Sequence, residues 1–225
     1  MGDGSKDRAN SRVGHACPVC GRNWALRGSR ASSRAWVFWC RFCHWRSARH
    51  TAAPALRRPR SHEVRLYADD AELVYSLEDF LLRGWSAGGA GIVIATQEHR
   101  AALRARLEKD GLEGSLRGGR LIELDAASTL QLFMRDGSPD RGLFHESVGS
   151  VVREVAAERP LHCFGEMVDV LWAQGNLSGA LELERLWAEL QEEVPFSLLC
   201  SYATEHVNDS HGLTAIARQH DTAAA

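Results

Sequence analysis

"GIVIAT", residues 91–96, is a short, unbroken apolar run with a glycine in front of it. A run of this length reads as a strand covered on both faces, which is the habit of strands in parallel sheets. Upstream, Val64-Arg-Leu-Tyr67 alternates as a strand does, and Asp69 or Asp70 can cap a following helix. That helix carries Leu73, Leu77, Phe80 and Leu81 on one face and stops at Gly84. Downstream, a helix bearing Leu103 and Leu107 ends near Gly111, and "RLIELD", residues 120–125, supplies a third strand.

The same rhythm continues to the end. Helices are expected around 127–135 and 140–158, then a strand and its exit in "LHCFGEM", residues 161–167. Leu181, Leu183, Leu186, Trp187 and Leu190 mark an amphipathic helix that serves as core or as a dimer surface, and "FSLLCSY", residues 196–202, is the last strand. A helix and a frayed tail ending in "QHDTAAA" are expected over 208–225. Strand–helix alternation at this spacing predicts an α/β domain over 62–207, three-layered, with a mostly parallel sheet. Ligands of such sheets sit outside the carboxyl ends of the strands. The residues due there are Tyr67, Asp69, Thr96, Gln97, Asp125, Gly165, Glu166 and Tyr202.

The turn after the first strand, "YADDAELVYS", holds no glycine and no Gly-Lys-Ser/Thr, and Asp69 and Asp70 would repel a phosphate. Gly84 to Gly88 match G-x-S-x-G, but a nucleophile elbow follows a strand and opens a helix, and here the order is reversed. These features speak against an ATPase or hydrolase. The blocks "HEVRLYADDAELVYSLEDFLLRGW", "GRLIELDAASTLQLFMRDGSPD", "GEMVDVLWAQGNLSGALELERLWAEL" and "PFSLLCSY" resemble the MEDS domain, the methanogen/methylotroph sensory domain, from His62 to about His206. The resemblance implies a degenerate RecA-like fold whose phosphate loop is lost, and a role in sensing small hydrocarbon derivatives. Matched block by block, it gives His62, Tyr67, Glu166, Met167, Trp172, Cys200 and Tyr202 as ligand-pocket residues. Read from the residues alone, Glu166 could equally favour the dipole of the helix it opens. Cys163 and Cys200 read as inert small hydrophobes in apolar strands. His206, His211 and His220 are too loosely spaced to suggest a metal site.

The N-terminal part has a different texture. Residues 1–60 carry 13 Lys+Arg against Asp3 and Asp7, whereas the rest of the chain carries 14 basic and 27 acidic residues. Two modules with different partners are therefore expected. Cys17-x2-Cys20 and Cys40-x2-Cys43, 19 residues apart, fit the spacing of a tetrahedral zinc site. Between them a hairpin is expected, with Trp24 to Leu26 leading out, a turn through Gly28 to Ser33, and Ala35 to Trp39 returning. The stretch 15–46 thus resembles a small β zinc ribbon. Free thiols or a redox dithiol pair are the alternatives, and His15 and His44 are bystanders to a complete four-sulfur shell. Residues 1–14 read as a disordered tail and 47–61 as a basic linker.

Arg22, Arg27, Arg30, Arg34, Arg41 and Arg46 could contact phosphates, with tryptophans stacking bases, or could dock a protein. No run of about 18 apolar residues suggests a membrane span, and no apolar leader follows the first methionine, so a cytoplasmic location is expected. The reading that results is a non-enzymatic regulatory protein. It senses a small apolar metabolite or signal and reports to nucleic acid or a signalling protein through the ribbon, with homodimerisation open. A protein-binding adaptor without a ligand, or a nucleotide-binding RecA-like enzyme, are the other readings.

Overall fold

Each apolar run in this chain is followed by a helix that must fold back over the strand it leaves, and the result is a sheet with helices on both faces. The computed structural model describes residues 60–112, 119–207, 210–218, 220 and 222–224, with strand backbone also at 11–12, 26–32, 35–40 and 50–51.

The N-terminal strands β1 (Ser11–Arg12), β2 (Leu26–Ser32), β3 (Ala35–Cys40) and β4 (His50–Thr51) pair antiparallel in the order β1-β2-β3-β4. The expected hairpin has longer arms than the turn residues suggested. Gly28, Ser29 and Ser32 lie in β2, and the connection shrinks to residues 33–34. Cys40 ends β3, and Arg27 and Arg30 lie on β2. Cys17, Cys20 and Cys43, with Arg22, Arg34, Arg41 and Arg46, lie outside the described residues.

From Ser61 onward the chain runs β5 (Ser61–Tyr67), α1 (Asp70–Ser86), β6 (Ala90–Ala95), α2 (Gln97–Lys109), β7 (Leu121–Asp125) and α3 (Ala126–Phe133). It continues through β8 (Met134–Arg135), β9 (Ser138–Pro139), α4 (Arg141–Glu146), α5 (Val148–Glu158), β10 (Leu161–Gly165) and α6 (Met167–Ala173). Last come α7 (Leu177–Glu193), β11 (Ser197–Ala203), α8 (Ser210–Ala217) and β12 (Thr222–Ala224). The sheet order is β12-β5-β11-β10-β6-β7, and every pairing is parallel. The strand–helix alternation is compatible with the RecA-like sheet that the resemblance implied.

Caps set most helix starts. Asp69, Thr96, Asp125, Asp140 and Asn176 each accept a hydrogen bond from a backbone N–H in the first turn of α1, α2, α3, α4 and α7 respectively. Asp69 and Thr96 follow their strands by two residues and one, and Asp125 is the last residue of its strand, which keeps the connections short at the carboxyl edge. The region expected as helix over 127–135 ends earlier instead. Asp136 and Gly137 both take positive φ (49° and 82°), so they form the tight turn of the two-strand ribbon β8–β9. The C-terminal tail also departs from the expected fraying, because β12 runs parallel to β5.

The two faces bury separate apolar layers. Leu73, Leu77, Phe80, Leu81 and Trp85 of α1 and Leu103 and Leu107 of α2 cover one face. Helices α3 to α7 cover the other, where the Leu/Trp stripe of α7 is core: Leu183, Leu186, Trp187 and Leu190 have no exposed surface. Trp187 meets Phe144 edge-on at 5.2 Å and Phe196 at 6.1 Å between ring centroids. Replacing Trp187 by Ala should therefore cost about 3–5 kcal/mol, read as a lower urea midpoint with an unchanged slope; an unshifted midpoint would mean that the stripe packs elsewhere.

Candidate functional site

Four strands deliver side chains to one edge of the sheet. Tyr67 ends β5, Thr96 follows β6, Glu166 follows β10, and the stretch from Ala203 to His206 leaves β11. They surround an open cavity of about 430 Å3, closed off by the first turn of α1, His99 of α2, and Asp169, Val170 and Ala173 of α6. Of the residues expected at strand ends, Tyr67, Asp69, Thr96 and Glu166 line it. Asp125 instead caps α3 and pairs with Arg100 at 2.8 Å. Tyr202 points into the opposite apolar layer.

Glu166 is buried at the start of α6 but caps nothing with its side chain. Its two oxygens reach across to the neighbouring strand exit. One accepts from the Thr96 amide at 2.8 Å, and the other meets His99 Nδ1 at 2.7 Å. His99 Nε2 faces Asp70 Oδ1 at 3.1 Å. With a carboxylate at each ring nitrogen, the imidazole holds both protons, and the bond to Glu166 raises its pKa to about 9 against the penalty of burial. Asp169 anchors the other side. Tyr67 donates its hydroxyl proton to Oδ2 at 3.1 Å, while Oδ1 accepts from the Ala203 amide at 3.2 Å and meets His206 Nδ1 at 2.9 Å. Burial, with the Asp169 charge beside it, pushes the Tyr67 hydroxyl well above its usual range, so it stays a donor. The lining thus combines five carboxylates (Asp69, Asp70, Glu166, Asp169, Glu205) with two histidines.

The first turn of α1 holds its own anions. Asp69 Oδ1 accepts from the Glu72 amide at 2.8 Å, and Glu72 Oε2 accepts from the Ala68 amide at 3.0 Å. Two backbone donors of this turn are thus taken by side chains of the chain itself, and their carboxylates would repel a phosphate. Ser86, the centre of the G-x-S-x-G match, ends α1 and donates to the Arg83 carbonyl at 2.7 Å.

The pocket set carried by the family resemblance divides in three. Tyr67 and Glu166 line the cavity. Met167 and Trp172 belong to the apolar layer under α6, where the Trp172 indole N–H donates to the His206 carbonyl at 3.1 Å and its ring stands edge-on to Tyr202. His62, Cys200 and Tyr202 meet around the buried Glu184 of α7, with His220 beside them. Cys163 is buried as expected of an inert thiol, whereas Cys200 sits among polar groups.

Sequence reasoning missed His99, Asp169, His206 and Glu184. The first three fall within a few residues of strand exits, so the topological rule reached their neighbourhood but not their side chains. Glu184 did leave a signal: it interrupts the buried stripe of Ala180, Leu183, Trp187 and Leu190 at a helical spacing that forces it inward.

A family profile described as "MEDS: MEthanogen/methylotroph, DcmR Sensory domain" matches residues 61–221. The match extends past the boundary expected at 207 and takes in α8 and His220. Comparison with curated proteins returned no match.

The pKa of His99, about 9 in the fold against 6.5 for a free imidazole, carries a stability prediction. Its contribution is complete below about pH 6.5 and is lost as pH rises through about 9. The stability gap between the wild type and His99→Gln should therefore narrow by on the order of 3 kcal/mol between about pH 6 and pH 10, measured by urea denaturation. A gap independent of pH would remove the charged imidazole from the site.

Proposed function

Because the chain belongs to the MEDS family of sensory domains, we propose that it is a non-enzymatic, cytoplasmic sensor whose strand-end cavity receives a small signal molecule. The observation that carries this reading is the convergence of Tyr67, His99, Glu166, Asp169 and His206 on one open cavity, beside a first turn already filled by carboxylates. Ligand sites of this kind pair a concave apolar surface with a few convergent polar groups. Here Ala68, Val170, Ala173 and Ala203 offer the apolar surface. The carboxylates select a molecule that brings hydrogen-bond donors or a positive charge. A short hydrocarbon bearing a hydroxyl or an amine fits better than a wholly apolar one, and a nucleotide phosphate fits worst. Among the described residues no helix is long and apolar enough to cross a membrane.

Asp169 supplies a route from occupancy to response. It ties α6 to the end of β5 through Tyr67 and to the segment leaving β11 through the Ala203 amide and His206. A ligand that donates to Asp169 competes with these bonds and favours a different placement of that segment. Our reading gives the output to the N-terminal module. It takes this module as a zinc ribbon held by Cys17, Cys20, Cys40 and Cys43, whose arginines bind nucleic acid or a signalling protein. The two CxxC pairs and the hairpin of β2 and β3 support that reading.

A thermal-shift screen tests the sensor. Small amines and alcohols are expected to raise the melting temperature, and Glu166→Gln and Asp169→Asn to abolish the rise; stabilisation by nucleotides in their place would turn the reading towards an enzyme. For the ribbon, gel-shift assays should show binding to DNA or RNA that weakens with salt and disappears with chelator. Failure to retard either nucleic acid would direct the output to a protein partner.

A further inference from the structure

On the face of the sheet away from α1 and α2, four segments distant in sequence bring ligand-type atoms together. His62 opens β5 and Cys200 lies in the middle of β11. The two strands pair in parallel, with His62 opposite Leu198 and Val64 opposite Cys200, so His62 and Cys200 share a face two residues apart in register. Glu184 enters from the buried stripe of α7, and His220 from the segment that follows α8. His62 Nε2 lies 3.1 Å from Glu184 Oε2, and Cys200 Sγ lies 3.2 Å from the same oxygen and 3.6 Å from His62 Nε2. His220 Nε2 lies 3.3 Å from Glu184 Oε1, and all four groups offer ligand atoms within 4.8 Å of one another.

We propose that these four side chains form a binding site for one divalent transition-metal ion of the zinc type, with His62 Nε2, His220 Nε2, Cys200 Sγ and a Glu184 oxygen as ligands. Three independent features point to a metal rather than to a hydrogen-bonded knot. The first is size. Bonds of about 2.0–2.3 Å to zinc give a tetrahedron with edges of roughly 3.3–3.8 Å. The four separations given above, 3.1 to 3.6 Å, lie close to that range, and the remaining pairs stay within 4.8 Å. The second is charge. Glu184 has no exposed surface and Cys200 none. A dication facing one carboxylate, one thiolate and two neutral imidazoles leaves the buried site neutral, whereas an isolated charge there is costly. The third lies behind the ligands. His220 Nδ1 meets the Ile216 carbonyl at 2.7 Å, and a carbonyl only accepts, so Nδ1 carries a proton and the ring is held with Nε2 turned towards Glu184, as outer partners hold a metal-bound imidazole. Tyr202 donates to Glu184 Oε1 at 2.8 Å, as outer partners of metal-bound carboxylates do.

The shell is closed, with four protein ligands and no open position, so the ion is structural. It ties the C-terminal segment to β5, β11 and α7. The site is independent of the strand-end cavity, and neither depends on the other for support. Imidazole and thiolate together suit zinc, or cobalt as a spectroscopic stand-in.

The test uses the full chain with Cys17, Cys20, Cys40 and Cys43 all replaced by Ser, so that ribbon cysteines contribute nothing. After loading with Zn2+ and gel filtration, elemental analysis is expected to find one ion per chain. Loading with Co2+ should give the visible absorption of a tetrahedral ion with a thiolate-to-metal band. Adding Cys200→Ser should remove that band, and His220→Gln, near the chain end and away from the sheet interior, should cut retained metal several-fold while circular dichroism stays unchanged. A folded chain that retains no metal overturns the proposal. Retention that is equal with and without the Cys200 and His220 substitutions overturns it as well.

Discussion

A parallel sheet imposes one constraint from which the rest of this molecule follows: each strand must be reached by a crossover, so all carboxyl ends gather on one edge. In this chain the crossovers begin at once. Thr96 and Glu166 follow β6 and β10 directly, and Asp125, the last residue of β7, is itself a cap. Helix caps, which the fold needs for its own termini, and site residues therefore share the same few positions. Glu166 illustrates the competition. It stands where a cap belongs, yet spends both oxygens on Thr96 and His99, stitching two adjacent strand exits together.

The fold was legible because its signals are local. The run at 91–96, the cap at Asp69 and the spaced apolar residues of α1 each describe a few consecutive positions, and hydrophobic periodicity reads those well. The Asp136-Gly137 turn shows the limit. The pair falls in the gap between the helices expected at 127–135 and 140–158, and periodicity missed the two-strand ribbon that Met134–Arg135 and Ser138–Pro139 form around it. The strand-end cavity was legible as a place and not as a set of side chains. Topology names the edge, while the partner of each carboxylate depends on three-dimensional neighbours such as His99 against Glu166, 67 residues apart.

Polar burial is used differently on the two faces. Near the cavity, His99 and Asp169 are tied to strand exits and reach solvent through an open mouth, so their bonds can be exchanged for bonds to a ligand. Glu184 has no exposed surface, and Tyr202, Cys200, His62 and His220 surround its carboxylate. Burial opposes ionisation of Glu184, but the two histidines outweigh it and hold the carboxyl well below its usual range. The sequence hid this cluster because its members come from four segments, and because His220 reads as part of a polar tail.

The neighbours of β5 carry a consequence for how the chain is made. It is the first strand of the sheet to leave the ribosome, yet both strands that flank it, β11 and β12, are among the last. Until β11 has emerged, β5 has neither edge covered, and closure of a loop of more than a hundred residues must precede its pairing. The N-terminal hairpin, made of local contacts, can form early. Over that interval the nascent chain carries a formed hairpin and an unclosed sheet, the state in which chaperone capture matters most.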